Sequence, residues 1–210
     1  MAQSFKLSFQ TGSAPRAVSV SRHNLFATQI WQARLAPAAA ELAGWNEEIL
    51  RMRAADPEPA GRTNRAGWNS RNNTVLDGSV FASLGAVIRR LAGEAISEMA
   101  GEAMPFSLQS WINLHDRGGF NFLHMHDSVL LSGSFYLQVP EGSGDLVFRD
   151  PRLSVLNSGF KGNGPNACKE VRLTPSAGLL VMFPHWLEHY VEPHGGDQPR
   201  IAIAFNALPG

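Results

Sequence analysis

Hydrophobic spacing along the chain switches between two periods. Residues 5–9 (FKLSF) and 25–35 (LFATQIWQARL) read as short strand-like pieces, and the Gly/Ser/Pro stretch between them predicts a turn. The period then lengthens. Leu42, Trp45, Ile49 and Met52 recur at helical spacing behind Pro37, and the segment stops before Pro57 and Pro59, so one amphipathic helix is expected. Residues 55–78 are rich in turn formers and predict a surface loop of little regular structure, with Trp68 as its large apolar anchor. A second helix is expected from about Ser79 to Met99, where Phe81, Leu84, Val87, Ile88, Leu91 and Ile96 make one apolar stripe. From Phe106 onward the pattern is that of short strands: FSLQSWINLH, FNFLHMH, LLSGSFYLQV, GDLVFRD, KEVRLTP, GLLVMFP, LEHYVEP and RIAIAFNAL. Between them lie GG, EGSG, the Gly/Asn-rich residues 157–166 and HGGDQP, all turn chemistry. This pattern predicts a mainly β sandwich or jelly roll whose inner face can hold a ligand, with the two helices buttressing one outer sheet.

A length of 210 residues with 44% hydrophobic side chains suits a single domain with a sizeable core. Within it, residues 1–105 carry the N-terminal strands, loop and helices, and residues 106–210 the jelly-roll core. Eighteen basic and eighteen acidic residues cancel, so nothing in the charge points to nucleic acid or an anionic membrane as partner. The single cysteine, Cys168, has no partner for an internal disulfide and reads as a surface thiol. No apolar run approaches the roughly 20 residues that span a bilayer, and the polar start lacks a signal-peptide core; the cytoplasm is the expected location. A homo-oligomer is compatible with all of this.

Histidine placement changes the picture. Six of the seven histidines fall in two windows, His115 to His126 and His185 to His194. His124 and His126 stand two apart in a stretch that alternates like a strand, so both imidazoles face one way and can reach one ion. A third ligand from a distant strand would complete a facial metal site with open positions, and His189 is the leading candidate. On a regular strand Asp127 points to the opposite face, and only a bulge would turn it inward. His185 is expected to line a pocket rimmed by Trp68, Trp111 and Trp186. His115 reads either as facing the mouth of the site or as structural, His194 as exposed in a turn, and His23 as without a role.

The run WINLHDRGGFNFLHMH, followed by FYL, EGSGDLVF, FPHWLEH and RIAIAFN, resembles the prolyl-hydroxylase-like Fe(II)/2-oxoglutarate oxygenases. The likeness covers residues 106–207, extends to GWNS at 67–70, and is strongest to a bacterial and phage branch with H-x-H, LSGxxYL, DPR and FPxxLxH signatures. It implies a double-stranded β-helix, a mononuclear Fe(II), and 2-oxoglutarate oxidatively decarboxylated as a small-molecule or peptide substrate is hydroxylated. It also implies His124, His126 and His189 as metal ligands. A buried 2-oxo acid needs a cation and a hydroxyl at its distal carboxylate, and Arg200 and Tyr136 take those roles. Without the resemblance, Arg200 would read as a surface ion pair and Tyr136 as a barrel-wall aromatic. The chain departs from the superfamily at His126, where most members carry Asp or Glu. Two other readings stand beside this one: a three-histidine metalloenzyme of the same shape that does not use 2-oxoglutarate (a dioxygenase, lyase or isomerase), and a non-catalytic jelly-roll binding module.

Overall fold

Partial alternation of polar and apolar residues in the second half of the chain gives its sheet two different faces. The computed structural model describes residues 3–8, 17–23, 25–61, 63–159, 162 and 167–210. Its elements, in chain order, are β1 (Gln3–Ser8), β2 (Ala17–Arg22), β3 (Trp31–Arg34), α1 (Ala39–Ala55), β4 (Asn64–Asn69), two 3-10 turns (Val75–Asp77 and Ser79–Phe81) and α2 (Ala82–Ala100). They continue with β5 (Phe106–His124), β6 (Leu131–Gln138), β7 (Leu146–Arg149), the single turn α3 (Leu153–Leu156), β8 (Glu170–Leu173), β9 (Leu179–Pro184), β10 (His189–Val191) and β11 (Arg200–Pro209). β1 and β2 pair as a separate hairpin. The remaining strands form one curled antiparallel sheet in the order β3-β9-β6-β11-β5-β10-β7-β8, with β4 laid along β5.

β5 sets the curl. Phe106–His115 pairs with β11, whereas Asn121 and His124 pair with β10, so one strand belongs to both walls of a half-barrel. The wall made by β9, β6, β11 and the first half of β5 turns Leu108, Ile112, Leu114, Phe135, Ile203 and Phe205 outward. There they pack with Trp45, Ile49, Leu84, Ile88 and Ile96 of the two helices. Ile49, Ile88, Ile112 and Ile203 are fully buried, each contributing about 1.5–3 kcal/mol. The inward residues Tyr136, Val181, Phe183 and Ala202 meet Leu146, Phe148 and Val191 of the other wall. Gly133 permits part of this packing: a Cβ there would lie 2.4 Å from Phe205 Cζ and 2.8 Å from the Val181 carbonyl oxygen.

Local expectations fail in three places. The GG pair was expected to be a turn, yet β5 runs through it: Gly118 takes a φ of +82°, and a Cβ on Gly119 would lie 2.8 Å from His115 Cβ. Their backbones pair with His194, whose N–H donates to the Gly119 oxygen and whose oxygen accepts from Gly118. Residues 55–78 are not an irregular loop, because β4 forms there by backbone pairing to β5; Trp68, 2% exposed, is a core residue whose Nε1 donates to the Asp56 carbonyl. Near the start, β2 forms in the stretch expected to turn, β3 occupies only the end of the expected 25–35 strand, and residues 9–16 lie outside the described residues. In each case pairing across the sheet overrides local composition. Cys168 is half-buried, its thiol donating to the Glu170 carbonyl. Among the described residues no helix is long and apolar enough to cross a membrane.

Candidate metal centre

The histidine window departs from a regular strand. Val191 pairs with Asn121 and His189 with His124, so three steps on β5 match two on β10 and β5 carries a bulge. Asn121 and His124 consequently face the cavity while Phe122 and Leu123 are exposed. β5 ends at His124, and His126 lies beyond it, its N–H donating to the His185 carbonyl. The two imidazoles still converge, with ring centroids 5.1 Å apart. His189 joins them at 4.3 Å from His124 and 5.3 Å from His126. One nitrogen from each lies within 4.8 Å of the others, close enough for small ring movements to bring all three onto one ion. Asp127 is exposed and outside this group.

Chemistry of the donor set fits a divalent metal. Nδ1 of His124 sits 2.6 Å from the Phe122 carbonyl oxygen and Nδ1 of His189 2.9 Å from that of Leu187. A carbonyl only accepts, so each Nδ1 carries the proton and each Nε2 keeps its lone pair. Burial, reinforced by His124, pushes the His189 pKa down to about 3, and burial lowers that of His124. Both are neutral at pH 7 and ready to ligate.

Across the cavity stands a buried cation. Arg200 is 2% exposed, its Nη1 donating to Nδ1 of His115 at 3.0 Å and its guanidinium lying 5.1 Å from the Tyr136 ring centroid. Arg200 and His115 face each other across the β11–β5 ladder. Burial lowers the Arg200 pKa, opposed by Tyr136, and raises that of the Tyr136 hydroxyl, opposed by Arg200. Burial and Arg200 push His115 down to about 3, so its Nδ1 is free to accept. Among the described residues Nε of Arg200 is buried without a partner and no carboxylate pairs with this guanidinium. A carboxylate from outside the chain would supply what is missing.

Between the two lies a cavity of about 250 Å³ lined by His124, His126, His189, Tyr136 and Arg200. Neutral polar side chains make up much of the rest: Gln109, Asn113 and Asn121 from β5, Asn69 from β4, Ser132 and Ser134 from β6, and Asn206 from β11. Asn69 Nδ2 donates to Asn113 Oδ1. The expected rim is corrected, since of Trp68, Trp111, Trp186 and His185 only Trp111 lines the cavity; Trp68 packs behind β5, and Trp186 is 42% exposed. His194, expected to be exposed, is buried by its pairing with the GG segment, and its Nε2 contacts the Gln198 carbonyl. Sequence reasoning missed His115 as the partner of Arg200, and missed the amides. A signal for both existed. On FSLQSWINLH the polar positions Gln109, Asn113 and His115 alternate with Leu108, Ile112 and Leu114, and helices cover the apolar side, so the polar side must face inward.

A curled antiparallel sheet with three histidines at one side of its cavity and a buried arginine on the strand between β5 and β6 gives the chain the double-stranded β-helix fold. Residues 109–206 match the family model described as "Putative 2OG-Fe(II) oxygenase". Among solved structures, a prolyl-4-hydroxylase from Pseudomonas putida superposes with a TM-score of 0.63 at 19% identity, over 87% of this chain and 94% of that one. A prolyl hydroxylase from Trichoplax adhaerens, in complex with a hypoxia inducible factor peptide fragment, gives 0.64 at 11% identity over 86% and 83%. HygX from Streptomyces hygroscopicus, with nickel and 2-oxoglutarate bound, gives 0.59 at 16% identity over 87% and 83%. No curated protein matches the chain.

Proposed function

We propose that His124, His126 and His189 hold one Fe(II), and that Arg200 with Tyr136 takes the distal carboxylate of 2-oxoglutarate. On this reading the chain couples oxidative decarboxylation of 2-oxoglutarate to hydroxylation of a small-molecule or peptide substrate. One observation carries it: a three-imidazole cluster shares its cavity with a buried guanidinium that has no carboxylate partner among the described residues. A three-histidine enzyme without 2-oxoglutarate has no use for that cation, which is costly to bury unpaired.

Iron, when bound, supplies the oxidising chemistry. The chain supplies placement. Its three imidazoles would hold the ion and leave other positions open to ligands from outside. Arg200, held by His115, fixes the far end of the cosubstrate, and the Tyr136 hydroxyl, kept protonated by burial, donates to the same carboxylate. The amide-rich β4–β5 side is left to the substrate, and relatives with peptide and hygromycin B complexes show that this fold accommodates both kinds.

Anaerobic titration of the protein with Fe(II), with and without 2-oxoglutarate, tests the reading. One iron per chain is expected, together with the visible charge-transfer band of a 2-oxo acid chelated to Fe(II). His124→Ala and His189→Ala should each abolish iron binding, while Asp127→Ala retains it. Stoichiometric iron in both histidine variants, or no succinate formed with iron, ascorbate and dioxygen present, would sink the proposal.

A further inference from the structure

The three histidines are not held alike. His124 and His189 each direct Nδ1 at the carbonyl two residues back in their own chain, a partner that only accepts and so admits one tautomer. Nδ1 of His126 instead lies 3.3 Å from the side-chain amide Nδ2 of Asn206. Asn206 is 6% exposed, and its Oδ1 accepts from Ser132 Oγ at 2.8 Å. Ser132, 1% exposed, faces Asn206 across the β11–β6 ladder, and both line the cavity.

In this orientation the amide donates to Nδ1, which requires the proton of neutral His126 to sit on Nε2. That tautomer leaves no lone pair for an ion at the nitrogen facing away from Asn206. Ser132 removes the conflict, because a hydroxyl can donate or accept. A half-turn of the Asn206 amide keeps both contacts: Oδ1 then accepts from His126 Nδ1–H, Nδ2 donates to Ser132 Oγ, and Nε2 of His126 is freed.

We propose that Asn206, backed by Ser132, is the positioning residue that selects the tautomer and orientation of His126, through an amide that turns as the metal enters. The inference rests on the reading of the three histidines as ligands to one ion. It makes His126 the adjustable member of the set, where His124 and His189 are fixed by backbone. It also gives the position where most of the superfamily carries a carboxylate a neutral support that tolerates both the loaded and the empty site.

The test uses metal-free full-length protein titrated with Co(II), read by its visible spectrum and by calorimetry, without turnover. Asn206→Leu, similar in size but without polar atoms, is expected to weaken Co(II) binding about 10–100-fold. Asn206→Asp, which can only accept, should bind at least as tightly as the parent, and Ser132→Ala should fall between parent and Asn206→Leu. Long-range ¹⁵N–¹H spectra of the histidines give a second readout, independent of affinity. In metal-free Asn206→Asp, His126 should already carry its proton on Nδ1, whereas in the metal-free parent it carries it on Nε2. Equal weakening in Asn206→Leu and Asn206→Asp, or the same His126 tautomer in the metal-free parent and Asn206→Asp, overturns the inference. If the parent binds Co(II), His124→Ala does not, and Asn206→Leu matches the parent, this inference alone fails. A parent that binds no Co(II) overturns it together with the metal site.

Discussion

Arg200→Met separates the work of a cosubstrate anchor from that of a structural ion. The side chain is 2% exposed, and its polar contacts among the described residues are with His115 and Tyr136, both uncharged. Losing the guanidinium from a buried carboxylate contact costs about 2–5 kcal/mol. Taking about 3 kcal/mol, at about 1.4 kcal/mol per decade, 2-oxoglutarate affinity should fall about 100-fold. The metal-free, ligand-free protein should respond differently. Deleting an uncompensated buried cation is favourable, while leaving His115 Nδ1 without its donor costs about 1–3 kcal/mol. These oppose one another, so its stability should change by no more than about 2 kcal/mol, or roughly 4–8 °C in melting temperature. The assay is an anaerobic titration of the Fe(II) protein with 2-oxoglutarate followed by the visible band, with iron stoichiometry and the melting temperature measured in parallel. A change in 2-oxoglutarate affinity under about fivefold, with iron binding intact, would refute the reasoning; so would a melting temperature that collapses, since that would make Arg200 a structural ion.

Two further outcomes follow from the structure. His115 resists protonation down to about pH 3 in the folded protein against an ordinary 6.5, so the unfolded chain takes up a proton that the folded one refuses. Stability present above pH 6.5 is therefore lost as pH falls toward 3, and His115→Asn should make the loss shallower by up to about 1.4 kcal/mol per pH unit, read from urea midpoints of metal-free protein between pH 7 and pH 5; parallel curves would contradict this. Gly133→Ala should destabilise by about 1–3 kcal/mol in thermal unfolding, because its methyl group meets the Phe205 ring and a backbone carbonyl that cannot both yield, and an unchanged melting temperature would count against that packing.

Much of the sheet was legible because β9 and most of β11 are apolar runs set off by Gly178, Pro184 and Pro199, and β6 sets Ser132 and Ser134 between apolar residues, signals that act within a few residues. The helices were legible for the same reason. What local pattern does not carry is the choice of partner. β4 is held by pairing to β5, so turn formers and Trp68 read as loop. The GG segment reads as a turn until His194 is seen pairing with it, and that pairing also buries a histidine that looked exposed. At the site, the spacing of His124 and His126 suggested their convergence, but not its cause: the bulge and the strand end at His124 replace the regular pleat that the alternation implied. Asn206 and His115 become meaningful only when β11 lies beside β6 and β5. Their roles depend on contacts across 80 and 85 residues of chain.

The place of β11 in the sheet also bears on how the protein is made. It lies between β6 and β5, strands that precede it by many residues, and it carries Arg200 and Asn206. During synthesis on the ribosome, β5 and β6 emerge long before the strand that joins them. Until it arrives each presents an unpaired edge and an apolar face, the condition in which nascent β-proteins associate with the wrong neighbour. Closure of the half-barrel is thus a late and non-local event, slow by topology. The cavity and the anchor for its carboxylate come into being in that same step, so a chain that has not inserted β11 has neither.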